Sequence, residues 1–301
     1  MNHSHVKNLT NLGFFVDESA VELIESLNEN DFYNLVEGVK KENPLIVNKD
    51  FINKVVIKDV RIIKNFTPIK KFTVQDYVKS LNERYSILQN ILLRRVAFSD
   101  LVSINKLSNG KASIIGLIKD KVEKEDSFLV TLEDSTGDVQ TIIPKNLGEK
   151  LCLDDVVAVS GNISNKVISA DALVYPDVPI RPVNYTSKSI KIAFLDASKD
   201  YNSDYLFYRE KILDKIKGKM HITTNPYMSE IDGVLILTLF ESNPLDAIRK
   251  RYVSKENTDF IIDPIPDIIF TGKDINTNYK GITIVSINKV IDLQSREVSD
   301  I

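Results

Sequence analysis

Short apolar runs separated by turn residues mark the middle of the chain, from Ser113 to Asp177. The runs are only two to five residues long and rich in β-branched side chains, which favours strands over helices. Gly, Asn and Asp between them supply the polar and left-handed positions that chain reversals need. Five such strands with one longer loop predict a small Greek-key barrel of the OB type over residues 101–178. The runs are Ile114–Ile115, Phe128–Val130, Val139–Ile143, Val156–Val159 and Val167–Ile168.

Apolar residues recur at helical spacing in residues 1–50. They predict a module of two or three short helices, with Asp17 near the start of one helix and Pro44 at the end of another. A module of this size is typical of segments that dock partners. Phe14 and Phe15 can anchor such a partner or pack inside the module, and burial is the preferred interpretation.

Residues 51–100 are strongly basic and read as an extended connector followed by a helix from Thr73 to about Arg95. Between Lys54 and Arg95, ten basic and three acidic residues give +7, whereas the whole chain carries −3. Such a stretch can contact phosphates or can be an ordinary solvated surface. The candidate DNA-binding residues are Lys70, Lys71, Arg84, Arg94 and Arg95.

The predicted barrel itself is acidic and poor in aromatic residues. From Leu101 to Val178, eight lysines face twelve acids, and Phe128 and Tyr175 are the only aromatic residues. Barrels of this type that bind single strands need a basic groove and aromatic stacking platforms. A scaffold or protein-binding barrel is therefore favoured.

Strands and helices alternate in residues 179–301, which predicts an α/β domain. Continuous apolar strands suit a sheet that is covered on both faces. The expected strands are Ile190–Leu195, Gly233–Phe240, Ile268–Thr271 and Ile282–Ile287, and the expected helices are Ser203–Lys217 and Pro244–Tyr252.

Composition restricts the chemistry that the chain can perform. A length of 301 residues predicts two or three domains. The chain has no run of about 18 apolar residues, so no membrane span is expected. A polar N-terminus and the single Cys152 indicate the reducing cytoplasm. With only three histidines, a histidine-rich metal centre is not expected, and His221 has no partner pattern for nucleophilic catalysis. No cofactor is therefore predicted.

Taken in order, these segments resemble the small subunit of archaeal family D DNA polymerase, a relative of the B-subunits of eukaryotic replicative polymerases. The matching segments are NLTNLGFFVDESAVELIES, FTVQDYVKSLNERYSILQNILLRR, VTLEDSTGDVQTIIPK, YPDVPI and IPDIIFTGKDINTNYKGITIVSIN. The resemblance implies a C-terminal calcineurin-like phosphoesterase domain, which in that family carries a two-metal 3′–5′ exonuclease site. A two-metal site needs dense anionic and imidazole ligands.

This chain departs from the family at the metal-binding positions. The Asp-x-His motif falls on Asp196 to Ser198 without its His, and the Gly-Asn-His-Asp motif has no counterpart. A later His falls near Phe240 or Glu241. The final Gly-His-x-His falls on Gly272, Lys273, Asp274 and Ile275. An ammonium group at Lys273 would repel a cation in a recessed site, so we expect no catalytic residue and no bound metal.

The resulting expectation is a multidomain α+β protein. Residues 1–50 form the helical module, 51–100 the basic connector and helix, 101–178 the OB barrel, and 179–301 a truncated calcineurin-like fold. The implied function is a non-catalytic accessory subunit in a hetero-oligomer with the large catalytic polymerase subunit, reaching primer–template DNA mainly through that complex. Two alternatives stay open. One is a DNA-binding module that uses the Lys54–Arg95 stretch, and the other is a phosphoesterase with one Mg²⁺ or Mn²⁺ on Asp196, Glu241 and Asp274.

Overall fold

The computed structural model describes most of the chain, in two compact units. The described residues are 4–25, 27, 29–55, 60–67, 73–95, 100–195, 203–208, 219–255 and 258–301. The first unit comprises residues 1–62 and 229–233, and the second comprises residues 63–228 and 234–301. None of the helices in these ranges is long and apolar enough to cross a membrane.

The first unit is mainly helical, as its apolar spacing predicts. Its elements are helices Ser4–Asn11, Val21–Glu25, Glu29–Glu42 and Lys49–Val55, the 3-10 turn Glu18–Ala20, and the parallel strands Phe15–Val16 and Ile46–Val47. Leu9, Ile24 and Leu35 are fully buried in its core. The predicted cap at Asp17 is confirmed, because its carboxylate accepts a hydrogen bond of 2.8 Å from the Ser19 amide.

Phe14 and Phe15 have different environments. Phe14 packs against the core of the first unit, whereas the Phe15 side chain is 74% exposed. Neighbouring side chains of an extended segment point to opposite sides, so one residue of the pair faces the core and the other faces solvent. The preferred interpretation of burial is therefore correct for Phe14 and wrong for Phe15.

The second unit contains a closed five-stranded barrel, as predicted. Its strands are Gly110–Glu123, Ser127–Asp134, Gly137–Pro144, Val156–Ser164 and Val167–Val174. Around the barrel the order is first, second, third, fifth, fourth, and the third and fifth strands pair in parallel. The helix Lys145–Gly148 fills the longer connection between the third and fourth strands. This order and connection are those of an OB barrel.

The predicted helix before the barrel is also confirmed, and we call Val74–Arg95 the long helix. Thr73 and Asp76 form a reciprocal cap: the Thr73 hydroxyl accepts from the Asp76 amide (3.2 Å), and the Asp76 carboxylate accepts from the Thr73 amide (3.0 Å). Leu88 and Leu92 of this helix pack against the outside of the barrel and against Tyr252.

Two sheets follow the barrel. The five-stranded sheet has the order Lys219–Ile222, Tyr205–Tyr208, Lys191–Leu195, Lys289–Asp292 and Val298–Asp300. The six-stranded sheet has the order Thr277–Tyr279, Ile282–Ser286, Ile268–Thr271, Val234–Leu239, Tyr227–Ile231 and Arg61–Asn65. The hairpin, Tyr252–Lys255 paired with Thr258–Ile261, follows the short helix Pro244–Lys250, whose N-cap is Asn243. The Phe194 ring of the first sheet lies 5.8 Å from the Phe270 ring of the second.

The predicted helix Ser203–Lys217 is wrong at its start. Tyr205–Tyr208 is a strand that pairs in parallel on both sides, and all four of its side chains are buried. A continuous apolar run without polar alternation is typical of an inner parallel strand, and this run is too short to be told from a buried helix by periodicity. Residues 209–218 lie outside the described ranges. The four predicted strands of residues 179–301 and the helix from Pro244 are confirmed with small shifts at their ends.

Candidate functional site

Three adjacent strands of the six-stranded sheet end at one edge, where the sequence resemblance places two of the family motifs. Val234–Leu239, Ile268–Thr271 and Ile282–Ser286 pair in parallel, so their carboxyl ends lie side by side. In open α/β sheets this edge is the usual place for a ligand site. The structure therefore brings together the positions after two of these strands, Phe240–Glu241 and Gly272–Lys273. Asp196 and Ser198 lie outside the described residues.

Gly272 is required by a close approach of backbone to backbone. Its amide donates to the Leu239 carbonyl across 3.3 Å. A β-carbon built on Gly272 would lie 2.5 Å from the Phe240 carbonyl oxygen, far inside van der Waals contact. The glycine of the family motif therefore has a packing role in this chain that is independent of any metal.

The Phe240 side chain fills this edge with hydrocarbon, and the resemblance places a metal-binding His of the family at Phe240 or at its neighbour Glu241. Its side chain is only 6% exposed, and its ring meets the Phe194 ring edge-on at 4.8 Å between centroids. Such an edge-to-face pair stabilises the contact between the two sheets. Its neighbour Glu241 is exposed, and its carboxylate lies 3.5 Å from the Lys255 ammonium group.

The segment after Gly272 is a surface turn. Lys273 and Asp274 are exposed, and the Ile275 amide donates to the Lys273 carbonyl at 2.8 Å. Ile275 packs against the apolar core beneath the sheet. Because Lys273 is exposed, solvent screens the repulsion that an ammonium group would exert in a recessed site.

The residues of this edge do not fit a two-metal centre. Within the described ranges, no group of three or more His, Cys, Asp or Glu side chains is arranged to hold a metal ion. Phe240 presents an aromatic ring, Lys273 an ammonium group and Ile275 an aliphatic side chain. None of these groups is a ligand for Mg²⁺ or Mn²⁺.

Arg84, a predicted DNA contact, is an internal residue. Its side chain is 3% exposed, and its Nη1 atom donates to Asp259 (3.0 Å) and Ser254 (3.2 Å) of the hairpin. The sequence-based expectation for Arg84 is therefore wrong, since a phosphate cannot reach a buried guanidinium. Helical periodicity alone could not show that the hairpin covers this face of the long helix.

The other predicted DNA contacts divide into three groups. Lys70 and Lys71 lie outside the described residues, and Arg94 is exposed at the end of the long helix. Arg95 is half-buried, and its Nη1 atom donates to the Pro176 carbonyl across 3.3 Å. Burial lowers the pKa of Arg95, and the nearby Asp177 partly offsets this effect.

Much of the remaining charge of the basic stretch is used within the protein. Arg61 forms an ion pair with Glu230, and Lys79 lies 3.8 Å from Glu83. The Lys64 ammonium group donates to the Ile261 carbonyl at 2.9 Å, and burial lowers its pKa. Among the described cations of the stretch, Arg61, Lys64 and Lys79 therefore have partners within the protein.

A buried polar network joins the barrel to the hairpin and the short helix. The Tyr252 hydroxyl donates to Asp155 across 2.9 Å, and the Lys250 ammonium group lies 3.0 Å from the same carboxylate. Burial raises the pKa of Tyr252. Burial alone would lower the pKa of Lys250, but the Asp155 carboxylate outweighs that effect and raises it.

The Phe128 ring presents little surface on which a nucleic-acid base could stack. That ring is 8% exposed within the barrel core, and the Lys121 ammonium group lies 3.9 Å from its centroid. Tyr175, the other aromatic residue of the segment, is partly buried at the end of the last barrel strand. The expectation that the barrel lacks aromatic platforms thus holds for Phe128.

These features define the class: an α+β protein with a closed OB-type barrel beside two contacting β-sheets. Comparison with curated proteins finds five relatives, all DNA polymerase II small subunits of archaea, at 25–30% identity. The Archaeoglobus fulgidus protein is 25% identical over 202 residues, which cover 66% of this chain and 40% of the relative. The Methanothermobacter thermautotrophicus protein is 28% identical over 155 residues, which cover 47% of this chain and 30% of the relative.

The resemblance to the small subunits of family D DNA polymerase is therefore confirmed at the level of the sequence. The chain spans less than half the length of the curated relatives that it matches. No family model matches it. Among solved structures, asparaginyl-tRNA synthetase from Pyrococcus horikoshii is similar over 23% of this chain and 20% of its own, at 20% identity and a TM-score of 0.21.

Proposed function

We propose that this chain acts as a non-catalytic small subunit of a replicative family D DNA polymerase. The observation that carries this proposal is the match to five small subunits, which reaches 66% of the chain in one of them. In this role the chain binds the large catalytic subunit in a hetero-oligomer in the cytoplasm and supports DNA synthesis.

The loss of the exonuclease is the second part of the proposal. Its support is the chemistry of the edge at Phe240 and Gly272, where a buried ring and a surface lysine occupy positions at which the resemblance leads us to expect imidazoles. The phosphoesterase-like domain then serves as an architectural platform. On this account the packing of Phe194, Phe240 and Gly272 stabilises the sheet, so the fold is retained although the exonuclease activity is lost.

The burial of Arg84 and the internal pairing of Lys64 weigh against a DNA-binding module that relies on the basic stretch. The exposed Asp274 and the Lys255-paired Glu241 weigh against a one-metal phosphoesterase, because neither position is enclosed. The small-subunit role is therefore the function that the residues support best.

Co-expression with the family D large subunit of the same organism tests this role. Size-exclusion chromatography with light scattering should give a stable complex whose mass contains both chains, and the complex should extend a primed template. A matched control is the Leu35→Asp variant, which puts a charge into the core of the first unit. Separate elution of the two wild-type chains at micromolar concentration would refute the proposal.

A further inference from the structure

A cleft of about 690 Å³ lies where the end of the long helix, the exit of the barrel and the six-stranded sheet meet. Three cations line it: Arg95 from the long helix, Arg249 from the short helix and Lys280 from the turn after Thr277–Tyr279. Asp177 is the one acidic residue among those that line the cleft, and the Asp246 carboxylate, which is not among them, lies 3.4 Å from Arg249. Three positive charges therefore face two negative charges, a net of +1. This excess is notable in a chain whose net charge is −3.

The cations are held in place by neighbours on the cleft wall. The Arg249 guanidinium lies 5.8 Å from the centroid of the Tyr175 ring, and the Lys280 ammonium group binds Asp177. Arg95 is tied to the Pro176 carbonyl, and the pKa of Arg95 is lowered by burial. A partly desolvated guanidinium gains more from an anion than one in bulk water, because the local dielectric is lower.

Helix termini account for only part of this arrangement. Arg95 and Arg249 each lie in the last turn of a helix, where a cation is favoured by the helix dipole. Lys280 belongs to a turn between strands and has no such reason to be there. The dipole acts on each helix end separately, so it does not explain why Arg95 and Arg249 lie in the same cleft.

The same cleft has an apolar side. Ile180 on its rim is 86% exposed, and the Tyr175 ring forms part of the wall. Single-stranded nucleic acid presents phosphates and flat apolar base faces in alternation, and proteins bind it with cations beside aromatic or apolar surfaces. An acidic peptide would match the cations but would not require the exposed apolar rim.

From this juxtaposition we infer that the cleft at Arg95, Arg249 and Lys280 binds single-stranded nucleic acid. Phosphodiester oxygens lie against the three cations, and a base packs on Tyr175 and Ile180. The site combines residues from three separate elements, so the barrel segment alone, with its excess of acids, does not reveal it. The inference concerns this chain by itself and does not depend on the polymerase complex.

Fluorescence anisotropy of the full chain with a labelled thymidine oligonucleotide of about 12 nucleotides tests the site. With three phosphate contacts, the logarithm of the association constant should fall against the logarithm of the salt concentration with a slope of about −2. Arg249→Gln should reduce the magnitude of that slope by about 0.7, and Arg249→Gln with Lys280→Gln by about 1.4. Lys280→Arg, which keeps the charge beside Asp177, should retain the wild-type slope.

Lys111→Gln is the matched control, since Lys111 is an exposed barrel lysine that pairs with Asp171 at 3.5 Å. It removes the same charge elsewhere and should leave the slope unchanged. Thermal unfolding of each variant separates loss of the site from loss of the fold, and Arg249→Gln keeps the test valid if the Lys280 variant is unstable.

Three results would overturn the inference. The first is that the wild-type chain fails to bind the oligonucleotide at about 50 mM salt. The second is that Lys111→Gln weakens binding as much as Arg249→Gln does. The third is that polyglutamate displaces the oligonucleotide at equal charge concentration, which would assign the cleft to an acidic protein segment. Because the large subunit is absent from the assay, none of these results bears on whether the polymerase complex forms.

Discussion

The guanidinium carbon of Arg84 lies 4.4 Å from the centroid of the Tyr252 ring, so a residue of the long helix packs directly on a residue of the hairpin. The same guanidinium binds Asp259, and the Tyr252 hydroxyl binds Asp155 of the barrel. These contacts join the helix before the barrel, the barrel itself and the hairpin after it. The second unit is thus held together by buried charge as well as by apolar packing.

Replacement of Arg84 with Met should destabilise the second unit strongly. Removing one partner of a buried ion pair leaves the other without compensation, and we expect the free energy of unfolding to fall by about 3 kcal/mol. Arg94→Met is the matched control at an exposed site of the same helix, where the change should stay within about 0.5 kcal/mol. Urea denaturation measures both. Equal effects of the two variants would contradict the internal role of Arg84.

The buried tyrosines should make the protein sensitive to alkaline pH. Burial raises the pKa of Tyr252, and it raises the pKa of Tyr85 to about 12. The protonated hydroxyl is therefore favoured in the folded state, and this contribution is complete below pH 10 and is lost as the pH rises through the folded pKa. Between pH 10 and its own folded pKa, each such tyrosine should lower the free energy of unfolding by about 1.4 kcal/mol per pH unit.

Tyr252→Phe should flatten that decline, at a cost of about 1 kcal/mol at neutral pH for the lost hydrogen bond to Asp155. Urea denaturation at a series of pH values from neutral to alkaline measures the slope. Tyr33→Phe, at a side chain that is 65% exposed, is the control and should keep the wild-type slope. An unchanged slope in Tyr252→Phe would show that this hydroxyl is not held protonated by the fold.

Gly272→Ala should destabilise the edge of the six-stranded sheet. The added methyl group would meet the Phe240 carbonyl oxygen at 2.5 Å, and because that atom is backbone, the strand ends must separate. We expect a loss of about 1–3 kcal/mol in the free energy of unfolding. At Gly137 a methyl group finds its nearest neighbour, the Ile104 Cγ2 atom, at 3.7 Å, so Gly137→Ala should be nearly neutral. An unchanged free energy of unfolding in Gly272→Ala would contradict the packing role of this glycine.

The barrel was predictable from the sequence because its information is local. Short β-branched runs and turn residues around Val139 and Val156 define strands without reference to the rest of the chain, and the structure closes them into the expected barrel. The cap at Thr73 and the end of the long helix at Arg95 were readable for the same reason. These features depend on neighbours within a few residues.

The environments of the charged residues were not predictable, because they depend on distant partners. Arg84 meets Asp259, which lies 175 residues further along the chain, and no pattern within the long helix indicates this. The cleft brings Arg95 together with Arg249 and Lys280, which both lie more than 150 residues further along the chain. Tyr205–Tyr208 was misassigned because a four-residue apolar run carries no periodicity.

The most direct test of the account is a degradation assay on the assembled polymerase. A complex of this chain with the large subunit is incubated with a 5′-labelled primer annealed to its template, without nucleotides, in Mg²⁺ and then in Mn²⁺. The account predicts that Asp196→Ala changes nothing, since this chain contributes no exonuclease, while primer extension proceeds normally in both complexes. Metal-dependent shortening of the primer that Asp196→Ala abolishes would contradict the account and restore a catalytic role to this chain.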